Sequence, residues 1–344
     1  MIEKNLKYSI FNILYLLVSF LFIACYSIGI ERGAQADSAA QNQKLPWRLL
    51  NEPRLITMPQ SVAPGEYVTI IYAPVMGKAN ENSVRTSVLF DENGKKIASA
   101  KLFLFNMDDD GHSVFVSLIA PPSTAKPGKA LVKIEAGNSV LMQTPLEIVK
   151  KDFISEIIPL NPSNTTLRTK PDPKKTEEAE KLWSILKTSG NDIWGSAAFV
   201  PPVAAETRRS SFFGDRRVYK YSDGKSDTSV HAGIDYAVPK NTPVKACAAG
   251  KVILARPRIV TGNSIIIEHI PAVYSIYYHL EKIQVEENSI VKAGDVIGLS
   301  GSTGLSTGPH LHWEIRVSTE NADPDTFCAR APLDRAAIFK AIFD

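Results

Sequence analysis

The apolar and polar positions divide the chain into stretches of different character. From Tyr8 to Ile30 there is no charge, and the run includes Ile13–Val18 and Phe20–Ile23. Residues 31–46 are polar, rich in Ala and Gln, and aperiodic, the pattern of a spacer. From 47 to 150, short alternating runs are separated by turn signals. Glu66–Tyr72 follows Pro64-Gly65, while Ser87–Phe90 and Ala100–Phe105 flank Glu92-Asn93-Gly94, a hairpin signal. Ser113–Ile119, Ala130–Ile134 and Val140–Met142 continue the alternation. About seven short strands in about 100 residues predict an immunoglobulin-like β-sandwich.

Residues 151–204 read as a connector with a helix at about 173–188. Asp172 is placed to cap it and Pro173 to occupy its first position. Ala179, Leu182, Trp183 and Leu186 fall at i, i+3, i+4 and i+7, which predicts a narrow apolar stripe. Glu177 and Lys181 form a favourable i, i+4 pair, and Gly190 is a stop signal. From 205 to 344 the pattern returns to β. Val244–Cys247, Lys251–Leu254, Ser264–Ile267, Tyr274–Tyr278 and Leu311–Val317 are predicted strands, and a helical pattern follows at Asp334–Lys340. The expected chain is mainly β: a sandwich, a helical connector and a second β domain.

Composition narrows the classes. With 39 Lys and Arg against 36 Asp and Glu, the net charge is +3. No basic stripe suggests a nucleic-acid partner. Three Cys cannot build a disulfide framework or a four-Cys zinc site. Lys4 and Lys7 precede the charge-free run, as in the basic region of a secretory signal. Three fates are open for residues 1–30. Leu21–Cys25 has the shape of a lipidation box, with Phe22 where Leu is usual; Ala34-Gln35-Ala36 is a small-x-small cleavage site; and the run is long enough to remain as a membrane anchor. Each fate exports the rest of the chain to the periplasm or cell envelope.

The candidate chemistry lies in the histidines. Six are present, and His231, His279, His310 and His312 fall in the last third. His231 and Asp235 share a face on a strand or a helix, and Gly233 with Val238-Pro239 favours extended or turn geometry. His310 and His312 share a face on a strand, which Trp313–Val317 continues. Two imidazoles and one carboxylate suit a zinc site with one position open. A single carboxylate leaves such a site net positive, so the metal stays a Lewis acid.

Other motifs read as structural. Asp108–Asp110, Gly111 and His112 lack most of a calcium loop's ligands and predict a solvated turn. His269 fits a hydrogen-bonded structural histidine. The run Gly301–Gly308 lacks the ending of a phosphate loop and reads as a cleft wall. Whether Cys247 and Cys328 pair is left open.

The segment from His231 to Ala246 resembles the first metal motif of the LytM/lysostaphin-type zinc metalloendopeptidases. Tyr277–Leu280 resembles that family's middle histidine motif, and Ser300–Glu314 its closing motif. Ser211–Arg216 is similar to the entry of the catalytic domain, and Val291–Gly298 to the strand pair before the closing motif. The resemblance covers about residues 205–330. It implies an antiparallel β catalytic domain built as a duplicated hybrid motif, with one zinc held by His231, Asp235 and His312. It implies His279 and His310 as catalytic histidines, their division of labour left open. The implied substrate is the peptide stems and cross-bridges of bacterial peptidoglycan, cut in cell-wall remodelling. The alternative is a non-catalytic LytM-domain regulator or wall-binding activator of another hydrolase. The long connector and extra domain also suggest a covering role over the cleft. Contact with a membrane is expected through the N-terminal segment or a lipidated Cys25, and a regulatory protein partner is left open.

Overall fold

The computed structural model describes residues 52–75, 84–107 and 112–344. The expected export segment, Cys25, the Ala36-Asp37 junction, the spacer and the Asp108–Gly111 turn lie outside the described residues. Among the described residues, no helix is long and apolar enough to cross a membrane. The chain is mainly β.

Two sheets build the first half. One runs in the order Arg54–Met58, Val68–Ala73, Ser113–Ile119 and Phe103–Met107. The other runs Ser61–Val62, Ser139–Ile148, Gly128–Ala136, Arg85–Phe90 and Lys96–Lys101. Period-two alternation fixes what they bury. Val68, Ile70 and Tyr72 from the first sheet meet Leu89, Val132 and Ile134 from the second in one apolar core. The Asn93-Gly94 signal is realised as a turn, with Gly94 at φ 75° and Asp91 Oδ1 accepting from the amides of Asn93 and Lys95.

The second half is organised by an eight-stranded sheet. Its path is Arg209–Ser211, Ile234–Tyr236, Leu311–Val317, Val273–Leu280, Gly262–Ile270, Gly250–Arg258 and Ile290–Val291, with Glu320–Ala322 paired to Leu311–Val317. Val273–Leu280 lies in the middle and is buried along its whole length. A separate three-stranded sheet joins Ser155–Pro159 in parallel to Arg216–Lys220, which pairs antiparallel with Ser226–Val230.

The helix Pro173–Lys187 begins where Asp172 and Pro173 predict, and the Asp172 side chain accepts from the Lys174 amide at 2.8 Å. Its buried face differs from the expected stripe. Ile185 and Leu186 are buried and Leu182 packs beside them, while Trp183 is 46% exposed and Ala179 is exposed. The docking surface decides the rotation. Leu254, Ile266, Tyr274, Ile276 and Tyr278 of the large sheet receive Ile185 and Leu186. Glu178 Oε2 accepts from the Ile259 amide at 2.8 Å, which fixes the same face. A second helix, Pro162–Thr169, precedes it, capped by Asn161. The sequence pattern did not predict this helix.

Contacts join the two halves. Tyr67 Oη donates to the Arg330 carbonyl at 3.0 Å, and Thr69 Oγ1 to that of Pro332 at 3.0 Å. The Tyr67 ring packs 4.3 Å from that of Phe327.

Candidate metal centre and catalytic cleft

Strand pairing brings the site together. In the large sheet Asp235 lies directly opposite His312, and Tyr278 flanks His312 on its other side. Cross-strand neighbours of this kind place their side chains next to one another. Tyr278 stacks on the His312 ring, centroids 5.5 Å apart and planes 7° from parallel. His231 sits just before the strand Ile234–Tyr236 and is tied by its backbone to Asp215 and Gly214. The glycine between His231 and Asp235 has a reason. A Cβ on Gly233 would lie 2.0 Å from the Trp313 carbonyl oxygen, so only glycine allows the close approach.

Three acceptor atoms face one point. His231 Nε2 lies 3.1 Å from Asp235 Oδ1 and 3.0 Å from His312 Nδ1, and His312 Nδ1 lies 2.7 Å from Asp235 Oδ1. The outer atoms of all three residues are engaged elsewhere. His231 Nδ1 donates to the Phe212 carbonyl at 2.8 Å, and His312 Nε2 to Glu314 Oε1 at 2.9 Å. Asp235 Oδ2 accepts from Arg217 Nη2 at 2.6 Å. Both inner ring nitrogens are therefore turned on one carboxylate oxygen, Asp235 Oδ1. Such a cluster could hold a metal ion. Tetrahedral zinc with bonds of about 2.0–2.1 Å spaces its donors about 3.3 Å apart, close to what is seen here.

The electrostatics agree. Burial opposes charge on His312, but the Asp235 and Glu314 carboxylates outweigh it and raise its pKa to about 9. Burial likewise opposes charge on Asp235, and the two histidines outweigh it, holding the carboxyl well below its usual range. The site thus draws positive charge to the shared face.

His279 and His310 stand beside this cluster. Their ring centroids are 4.7 Å apart, and His279 is 6.2 Å from His312. His279 Nδ1 donates to the Thr303 carbonyl at 2.8 Å, and His310 Nδ1 to that of Gly308 at 2.8 Å. Those bonds leave each Nε2 with a free lone pair. Burial lowers both pKa values, that of His279 to about 3 with help from His310 and His312. The His279 backbone lies at φ 61°, a conformation unusual for a non-glycine residue, and its amide donates to the Thr261 carbonyl.

All five residues line one cleft. One wall is the loop containing Leu305, Ser306 and Thr307, as expected of the Gly301–Gly308 run. Another is the three-stranded sheet, which contributes Ile158, Arg217, Tyr219 and Ser229. The helix Pro162–Thr169 joins the two walls. Asn164 Nδ2 donates to the Ser306 carbonyl at 2.9 Å, and Arg168 stacks 4.0 Å over Tyr219 while pairing with Asp227 at 2.9 Å.

Sequence reasoning did not single out Glu314, Arg217 or Glu156. Glu314 was within reach, because the alternation that aligns His310 with His312 continues to Glu314 and Arg316. Arg217 and Glu156 carried no local signal. His269 lies away from the cleft. It is buried, donates from Nδ1 to the Ala249 carbonyl and bonds Ser275 Oγ through Nε2 at 2.7 Å. Cys247 and Cys328 are free thiols.

Residues 229–324 match the model of peptidase family M23. This segment is an M23 peptidase domain. DD-carboxypeptidase/endopeptidase Mpg of Neisseria meningitidis is 39% identical over 126 residues, 37% of this chain and 28% of the relative. Peptidoglycan DD-endopeptidase ShyA of Vibrio cholerae is 40% identical over 116 residues, 34% of this chain and 26% of the relative. The chain thus spans about a quarter of the length of these curated relatives. A crystal structure assigned to peptidase M23 from Pseudomonas aeruginosa superimposes with a TM-score of 0.51 at 24% identity, covering 82% of this chain and 97% of that one. That likeness concerns the fold. The five histidine and aspartate residues and Glu314 lie inside the M23 domain, whereas Glu156, Phe212 and Arg217 lie before it.

Proposed function

We propose that this chain is an exported zinc metalloendopeptidase that hydrolyses peptide cross-links of bacterial peptidoglycan. The observation that carries the proposal is the meeting, in one cleft, of a three-acceptor cluster with two neutral histidines. The substrate class is supported by relatives named peptidoglycan DD-endopeptidases.

His231, Asp235 and His312 would hold the zinc. Bound there, the ion supplies a Lewis acid for the scissile carbonyl and lowers the pKa of water. Phe212, Glu314 and Arg217 hold the outer atoms of the ligands and keep the inner ones aimed. Of His279 and His310, one accepts the proton of the attacking water at Nε2 and returns it to the leaving amine. The other would stabilise the developing oxyanion by donating from Nε2 after taking up a proton from solvent there. Thr303 and Gly308 hold the Nδ1 protons and so fix both tautomers. The small side chains of Ser306 and Thr307 leave room for a peptide backbone along the cleft.

The same reading takes residues 47–150 as an immunoglobulin-like sandwich, supported by two sheets that share one core. It takes 205–344 as a LytM-type catalytic domain with a duplicated hybrid motif, and export from the charge-free run Tyr8–Ile30. Mass analysis of the mature N-terminus tests export: a lipidated Cys25, a start at Asp37 or an intact leader distinguishes the three fates.

Digestion of muropeptides by the full chain, beside His312→Ala, tests the activity. Wild type is expected to convert cross-linked dimers to monomers, and the variant to leave them intact. Persistence of every dimer with zinc-replete wild type would overturn the proposal.

A further inference from the structure

Two charged residues before the matched segment 229–324 are linked to its candidate ligand Asp235, Arg217 directly and Glu156 through Arg217. Glu156 on the strand Ser155–Pro159 and Arg217 on Arg216–Lys220 are paired neighbours in the three-stranded sheet. Arg217 Nε donates to Glu156 Oε1 at 2.6 Å, and Arg217 Nη2 donates to Asp235 Oδ2 at 2.6 Å. The guanidinium is thus shared between two carboxylates through two of its nitrogens. Its side chain is 13% exposed, and that of Asp235 is 10% exposed.

We propose that Arg217, oriented by Glu156, is a positioning residue that restrains Asp235 to ligation through one oxygen. A carboxylate has two oxygens, and a metal can take either or both. Here Oδ1 faces the two ring nitrogens and Oδ2 is engaged by Arg217. One-oxygen ligation keeps the cluster at three protein donors and leaves the remaining side open to water and substrate.

Charge balance explains the presence of Glu156. A lone buried guanidinium beside Asp235 would cancel the anionic ligand and oppose a dication. Glu156 neutralises it, so Asp235 keeps its charge while its second oxygen stays held. Lysine could not serve both carboxylates in the same way, because it lacks the planar fork.

Glu156 also reaches the other side of the site. Ser211 Oγ donates to Glu156 Oε1 at 2.8 Å and lies 3.1 Å from Asp215 Oδ2. Asp215 Oδ2 accepts from the Phe212 amide at 2.8 Å, and the Phe212 carbonyl is the acceptor for His231 Nδ1. One residue of the upstream strand is therefore linked to the supports of two ligands. The matched segment 229–324 alone lacks this support.

The inference rests on the zinc reading, and its test separates the two. Zinc affinity is measured on the full chain by competition with a chromophoric chelator. The visible spectrum of the cobalt(II)-loaded protein reports coordination number. Wild type is compared with Arg217→Met, Arg217→Lys and Glu156→Gln. Arg217→Met is expected to bind zinc about 10–100-fold more weakly. Its cobalt band should lose intensity as Asp235 turns to two-oxygen ligation. Arg217→Lys should recover part of the affinity, and Glu156→Gln should weaken binding by leaving the guanidinium uncompensated. Should Arg217→Met fail to fold, Glu156→Gln carries the test, since Glu156 lies on a partly exposed strand. Wild-type affinity and an unchanged cobalt spectrum in the folded variants would overturn the positioning role. Absence of zinc binding by wild type would overturn the zinc reading and this inference with it.

Discussion

His312 has a partner on each ring nitrogen and on its face: Asp235 at Nδ1, Glu314 at Nε2 and Tyr278 stacked on the ring. On the proposed zinc reading His312 is a ligand, so His312→Ala should lose stoichiometric zinc when measured by elemental analysis. His269 offers a contrasting prediction. Burial lowers its pKa from 6.5 to about 4, so the folded state keeps it neutral where the unfolded state binds a proton. The associated stability is fully present above pH 6.5 and is lost as pH falls toward 4. The shift corresponds to about 3 kcal/mol. Urea titrations between pH 4 and 7 should show a shallower pH dependence for His269→Gln than for wild type. An equal slope would contradict this.

All five candidate site residues were legible in the sequence, because each lies within a short local pattern and the fold brings those patterns to one cleft. Their supports were less so. Glu314 shares the strand alternation of His310 and His312, but Arg217 reaches Asp235 only through the pairing of distant strands. Nothing local in the chain encodes that register.

The helix Pro173–Lys187 shows the same division at the level of an element. Its ends follow from local chemistry, with Asp172 capping and Pro173 starting the first turn. Its buried face follows from the sheet it meets, which receives Ile185 and Leu186 and leaves Trp183 outside. Leu186 is 1% exposed, so Leu186→Ala should cost about 2–5 kcal/mol. Trp183→Ala should stay within about 1 kcal/mol, and denaturant midpoints of the two variants compare them directly. The shorter helix Pro162–Thr169 escaped prediction for a related reason. Its sequence is rich in Thr, Ser and Asn, which favour helices weakly. Its tertiary bonds through Asn164 and Arg168 supply what propensity does not.

Across the whole molecule, the N-terminal sheets are packed onto the C-terminal half rather than strung from it. Tyr67, Thr69 and Gly65 meet Arg330, Pro332 and Phe213. Gly65 lies at φ 89°, and a Cβ there would fall 2.1 Å from the Phe213 ring. Gly65→Ala should therefore destabilise the chain by more than about 1 kcal/mol, read as a lower urea midpoint. A midpoint equal to that of wild type would contradict this packing.

The same long-range organisation places Glu156, Phe212 and Arg217, which lie before the matched segment 229–324, around the candidate metal cluster. Anomalous diffraction at the zinc edge, from crystals of the zinc-loaded chain, tests that centre most directly. A single peak is expected among His231 Nε2, Asp235 Oδ1 and His312 Nδ1, beside His279 and His310. A peak elsewhere, or none at these three atoms, would contradict zinc ligation by this cluster.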